Sequence, residues 1–243
     1  MIYKFFPVYI FALMAFTSNE THSVSVLETS NKEPRLLAAT TKSNFEMKVA
    51  SVYGKLHSNN LAIPQLESFK EALQGFYQLQ EKGIVQKNIL TLIDFSLSSN
   101  AKRLWVIDLA TNTVLINSLV AHGKNTGEEF ANSFSNDSSS FKSSLGFYAT
   151  GEIYNGKHGK SLKLDGLERG VNDHARERGV VMHAADYVSD SFIKSHNRLG
   201  RSQGCPAVPV ELTDEIIDII KNKSCLFIYH PSRNHNGMSR LLS

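Results

Sequence analysis

Ile89-Leu90-Thr91-Leu92-Ile93-Asp94-Phe95 opens the part of the chain that sets the fold. Arg103-Leu104-Trp105-Val106-Ile107-Asp108-Leu109 and Thr113-Val114-Leu115-Ile116 follow it, and all three runs are short and rich in β-branched and large apolar residues. Runs of this length and composition, bounded by turn residues, read as strands. Ala110-Thr111-Asn112 supplies a hairpin turn between the second and third. Further strands are expected over residues 146–149, 161–164, 179–182 and 226–229. Polar loops lie between them, among them residues 132–142 with five Ser and two Asn, and residues 188–201.

Upstream of Ile89 the period is helical. Ser43 and Glu46 have capping-box spacing, and Phe45, Val49, Val52 and Leu56 then recur at helical intervals. Leu66, Phe69, Leu73, Phe76 and Leu79 form a second stripe that starts near Pro64 and stops at Gly83. One late helix is expected over residues 213–222, capped by Thr213 or Asp214. The pattern predicts a mainly β domain with accessory helices, and no internal repeat is present. At 243 residues, with 42% apolar and 9% aromatic content, the chain can bury one substantial core.

A formal charge of +3, with Lys and Arg scattered among the acids, gives no ground for nucleic-acid binding. A mildly basic surface would suit an anionic wall polymer. Lys4 precedes the apolar run Phe5–Phe16, which is too short for a bilayer at about 20 residues per spanning helix but suits a signal-peptide core. Residues 1–23 are therefore expected to direct export, with Thr21-His22-Ser23 as the best cleavage region; left uncleaved, they would be a membrane anchor. Residues 24–42 read as a flexible linker, 43–84 as a helical accessory segment, 88–232 as the main domain and 233–243 as a tail.

Chemistry concentrates in two short stretches. Gly179-Val180-Val181-Met182-His183 ends a strand on an imidazole, and Arg201-Ser202-Gln203-Gly204-Cys205-Pro206 sets a thiol among small residues. A thiol of ordinary pKa, about 8.5, is mostly protonated at neutral pH and needs such an imidazole as base. Gly204 lets backbone N–H groups near Cys205 approach a reacting carbonyl as an oxyanion site. Arg201 has the fork geometry to pair a substrate carboxylate, Ser202 flanks the nucleophile, and Gln203 can donate a hydrogen bond. Cys225 begins an apolar run and reads as a buried thiol. Zinc is the rival chemistry, since His158, His174, His183, His196 and Cys205 include ligand types, but no metal-binding spacing is present.

Several stretches in order carry a resemblance: Val120-Ala121-His122-Gly123, Phe134-Ser135-Asn136, Ser143-Ser144-Leu145-Gly146-Phe147-Tyr148, Tyr154-Asn155-Gly156-Lys157-His158-Gly159 and Gly200 to Ala207. Together they resemble the murein branch of the YkuD-type L,D-transpeptidases, over about residues 90–231. The resemblance implies a β-sandwich-type catalytic domain with no cofactor and no metal, acting on peptidoglycan stem peptides in the periplasm or cell envelope. It implies Cys205 as nucleophile and His183 as base, oriented by the carbonyl of Ala184. It also implies a support or substrate role for His122, Ser144 and Tyr148, while Tyr154 and His158 are expected to line the substrate groove. The expected reaction is transfer of the stem acyl group from the third residue to an amine. Transfer to water, as an L,D-carboxypeptidase, and wall binding without turnover are the alternatives. Gln203 departs from the family, which more often has histidine there.

Overall fold

The computed structural model describes residues 33–157 and 159–235, with side chains from Ser43 to Arg233. The expected signal segment, and His158, lie outside the described residues. Residues 1–42 fall to one unit and 43–243 to a second. Helix α1 (Glu33–Gly54) starts ten residues before Ser43. Residues 33–42 are therefore helical where a linker was expected, and Ser43 is not a cap. The reason is compositional: Pro34 is tolerated in a first helical turn, and no Gly or Pro follows before Gly54.

Eight strands form one continuous ladder in the order β3-β2-β1-β8-β4-β5-β6-β7. They are β1 (Ile89–Asp94), β2 (Leu104–Asp108), β3 (Thr113–Ser118), β4 (Gly146–Gly156), β5 (Gly159–Gly166), β6 (Val181–Ala184), β7 (Ala207–Val208) and β8 (Cys225–Tyr229). The β1–β8 and β6–β7 pairs are parallel, and the others antiparallel. This is the mainly β domain with accessory helices that the sequence predicts.

Strand side chains alternate between two buried faces. Leu90 and Leu92, Trp105 and Ile107, and Cys225, Phe227 and Tyr229 point into one core; Ile93, Val106, Leu226 and Ile228 point into the other. A sheet covered on both faces has no polar side to show, which is why its central strands read as unbroken apolar runs. In β3 a bulge opposite Val106 and Ile107 puts Val114 and Ile116 in different cores and leaves Leu115 38% exposed.

Helix α2 (Leu66–Glu81) covers the first face through Phe69, Leu73, Phe76 and Leu79, while Leu66 stays exposed at its start. Val49 of α1 joins the same core, with Phe45, Val52 and Leu56 partly buried against it. Helix α4 (Val210–Ile220) covers the second face with Ile216, Ile217 and Ile220. It begins three residues before the expected start, behind Pro209. Thr213 is thus an interior residue, and its hydroxyl donates to Pro209 O at 2.8 Å instead of capping. Helix α3 (Asp190–His196) lies in the expected polar loop; it buries no side chain and so left no apolar period.

The last described turn, α5 (Ser232–His235), corrects the expected tail. Arg233 is fully buried, donates to Glu168 Oε2 at 2.5 Å, and lies over the rings of Phe147 and Phe227. Burial pushes the Glu168 carboxyl up while Arg233 pulls it back down. A charge so deeply placed belongs to the domain, because it persists in the interior only when paired.

Gly75 is where α2 lies against the ring of Phe147 from β4. A β-carbon there would meet the Phe147 ring at 2.0 Å, and that ring is fully buried and stacked on Phe227 at 4.1 Å between centroids. Ala is the better helix former by about 1 kcal/mol, but overpacking a filled core costs about 1–3 kcal/mol. Gly75→Ala is therefore expected to lower stability in urea unfolding, and a stabilised variant would show that α2 does not sit on β4.

Candidate active site

The imidazole is one residue from the end of strand β6, and β7 begins two residues after the thiol. Their parallel pairing sets His183 opposite Ala207, so a two-strand ladder brings the ends of two distant motifs together. The loop between, residues 202–206, is held by a neighbouring segment. Ser202 N–H donates to His122 O at 3.0 Å, Lys124 N–H to Ser202 O at 2.8 Å, and Ala121 N–H to Ala207 O at 2.9 Å. Within the loop, Ser202 Oγ donates to Cys205 O at 2.6 Å and accepts the Gly204 N–H at 3.0 Å. Ser143, buried, ties the two segments: its Oγ accepts from Gly123 N–H at 3.1 Å and donates to Gly204 O at 3.3 Å.

Cys205 and His183 open onto one cavity of about 580 Å3. Ser202, Gln203, Arg201 and Tyr154 line it as well. His183 Nδ1 lies 2.8 Å from Ala184 O. A carbonyl only accepts, so Nδ1 carries the hydrogen and Nε2 is the basic nitrogen of the neutral ring. Cys205 Sγ receives the Val181 N–H at 3.5 Å and lies 3.7 Å from Gly179 O. Burial pushes the Cys205 thiol up, against the opposing pull of the Val181 N–H and the Arg178 charge. The thiol therefore holds its proton until a base removes it. Cys225, wholly buried in β8, is pushed up by burial alone.

Three residues expected at the substrate are interior instead. His122 is 1% exposed, Ser144 2% and Tyr148 0%. Arg103 Nη2 donates to His122 Nδ1 at 2.8 Å; because Arg can only donate, the hydrogen sits on Nε2, which gives it to Gly127 O at 3.2 Å. Burial first, then the Arg103 charge, lowers the His122 pKa to about 4. A neutral, enclosed ring of this kind supports the backbone that holds the cysteine loop. Tyr148 points into the core from β4 and donates to Ser144 O at 2.9 Å. Ser144 Oγ is engaged with Ser135 O and Arg178.

Arg201 Nη1 donates to Glu128 Oε1 at 2.6 Å, so its charge already has a carboxylate. Gly204 is present for backbone reasons: φ is +119°, and a β-carbon would meet Lys142 O at 2.8 Å.

The sequence did not single out Arg178. From a position just before β6 it lines the cavity and fastens the serine-rich rim, donating to Ser135 O at 2.9 Å, Lys142 O at 2.7 Å, Ser144 Oγ at 2.5 Å and Ser140 Oγ at 3.3 Å. Tyr187 also lines the cavity, pushed up to about 12 by burial and then by Cys205. Ser139 and Phe141 on the rim adopt φ of 58° and 54°, a strained region for such side chains. Among the described residues no three His, Cys, Asp or Glu side chains converge as a metal site.

A sequence model of the L,D-transpeptidase catalytic domain matches residues 62–229, and the chain belongs to that family. No curated protein matches it. Among solved structures it is similar to an L,D-transpeptidase from Mycobacterium smegmatis (13% identity, 59% of each chain, TM-score 0.37). It is also similar to one from Xylanimonas cellulosilytica (13%, 59% of this chain and 61% of that one, 0.34) and one from Stackebrandtia nassauensis (10%, 65% of each, 0.35). The chain thus spans less than two thirds of the length of these proteins. At such identities and scores the likeness carries no argument about chemistry, and family membership rests on the matched domain.

Mild alkylation of the folded protein is expected to label Cys205 and spare Cys225 until unfolding; the reverse order would overturn the burial assigned to the two thiols. Arg178→Met removes a positive charge that favours the thiolate. The pH profile of Cys205 alkylation should therefore move upward, slowing labelling at neutral pH and converging with the parent protein at high pH. An unmoved profile would separate Arg178 from the thiol.

Proposed function

We propose that this chain is an exported cysteine acyltransferase, an L,D-transpeptidase acting on peptidoglycan stem peptides. The observation that carries the reading is the convergence of Cys205 and His183 on one cavity, with the ring held by Ala184 O so that Nε2 is its basic atom. Export rests on the signal-like residues 1–23.

His183 Nε2 takes the Sγ proton as sulfur attacks the carbonyl of the third stem residue. Gly204 N–H is committed to Ser202 Oγ, so the Cys205 N–H is the donor left in this turn for the developing oxyanion. When the tetrahedral adduct collapses, the C–N bond to the terminal D-residue breaks, its nitrogen takes the proton from His183, and a thioester remains on Cys205. An amine from a second stem then attacks, gives its proton to Nε2, and expels the sulfur, which recovers a proton from the imidazolium. The product is a peptide cross-link. Water in place of the amine gives the trimmed stem of an L,D-carboxypeptidase.

Incubation with purified muropeptides and mass analysis of products tests this. Cross-linked dimer is expected, trimmed monomer would point to the hydrolase, and unchanged substrate would leave a wall-binding role. His183→Ala should lower turnover about 10²–10⁴-fold, the usual share of general-base assistance, with folding intact. A variant that keeps full turnover would show that the base lies elsewhere.

A further inference from the structure

No acidic side chain stands among the described residues lining the Cys205 cavity, whereas Lys157, Arg178 and Arg201 all do. These three cations are not equivalent. Arg201 is paired with Glu128. Arg178 has only neutral partners, two carbonyls and two hydroxyls, which fix its guanidinium against the rim. Lys157 stands exposed at the turn between β4 and β5, with no ion pair among the described residues and with its neighbours Tyr154 and Gly156 on the cavity wall.

The cavity thus has two positive charges without a carboxylate, one held rigidly and one on a long flexible stem. A flexible ammonium is a point charge that can follow a ligand group. An all-positive concave wall raises the local concentration of anions and repels cations. Both terminal nitrogens of Arg178 are engaged with the rim, whereas Lys157 has no hydrogen-bond or ion-pair partner among the described residues.

We infer that the cavity selects acyl donors that carry a free carboxylate on the side chain of the residue whose carbonyl is attacked, and that Lys157 is the specificity residue that reads it. The inference rests on the stem-peptide reading above and sharpens it. A third stem residue whose side chain ends in both an amine and a carboxylate offers Lys157 an ion pair. Its amidated form offers only a neutral carbonyl, and a lysine in its place brings an amine alone to a positive wall.

Three synthetic tetrapeptide stems, alike except that the third residue is diaminopimelate, its side-chain amide, or lysine, distinguish the outcomes. The parent protein is expected to favour the free carboxylate over the amide by about tenfold in kcat/KM, and to favour lysine least. In Lys157→Met the ratio of acid to amide should fall to within about twofold, and Lys157→Arg should restore most of it. Equal use of all three stems by the parent protein, or a ratio that survives in Lys157→Met, overturns the inference and leaves the stem-peptide reading standing. Failure to consume any stem, with no mass added to Cys205, overturns both.

Discussion

Gly123 and Gly204 pass each other with no room for a β-carbon on the first. One placed on Gly123 would lie 2.5 Å from Phe141 O and 2.9 Å from Gly204 Cα. One on Gly204 would strike Lys142 O, and φ there is in any case one that side chains rarely adopt. This backbone contact is what lets residues 121–124 lie along the cysteine loop and satisfy its N–H and C=O groups, with Ser143 bridging the two glycines. Buried backbone groups must be paired. The loop therefore has one arrangement in which they are, and that arrangement presents Cys205 to the cavity.

Behind this contact stands a second tier. Arg103, fully buried, donates twice to Val120 O, once to Leu97 O and once to His122. Burial lowers its pKa to about 9, against the pull of Asp94, and leaves it cationic at neutral pH. Its charge and the enclosure together keep His122 neutral, so the segment carrying Gly123 is fixed by hydrogen bonds that do not titrate near neutrality. His183, whose ring lines the cavity, stands instead on β6. Both rings are buried, but His183 lines the cavity and His122 does not, its two nitrogens being taken up by Arg103 and Gly127 O.

Much of this was legible in the sequence, for reasons that can be named. Unbroken apolar runs identified β1, β2, β3 and β8 because the sheet is covered on both faces. Asn112, at φ 52°, fitted the turn expected of Ala110-Thr111-Asn112. Strand β4 runs eleven residues where four were expected, because its second half, residues 152–156, is mostly exposed and sends only Ile153 against the core. Strand β7 is two residues long, below the reach of any periodicity. Helix α3 had readable ends, with Ser189 accepting from Phe192 N–H and Asn197 in the left-handed region, but no apolar face between them. In the site, Cys205 and His183 stood out by residue type and context. His122 did so by motif too, and only its hydrogen bonds to Arg103 and Gly127 O, away from the cavity lining, show that it supports the loop. Arg178 left no mark, since its partners at residues 135, 140, 142 and 144 are remote in sequence.

The central claim is that Cys205 carries the acyl group, and its most direct test is the mass of the protein quenched shortly after mixing with a tetrapeptide stem. The account predicts an adduct equal to the stem less its terminal residue, on the peptide containing Cys205 and absent from Cys205→Ala. Turnover of the stem by the parent protein with Cys205 never modified, or an adduct on another residue, would contradict it.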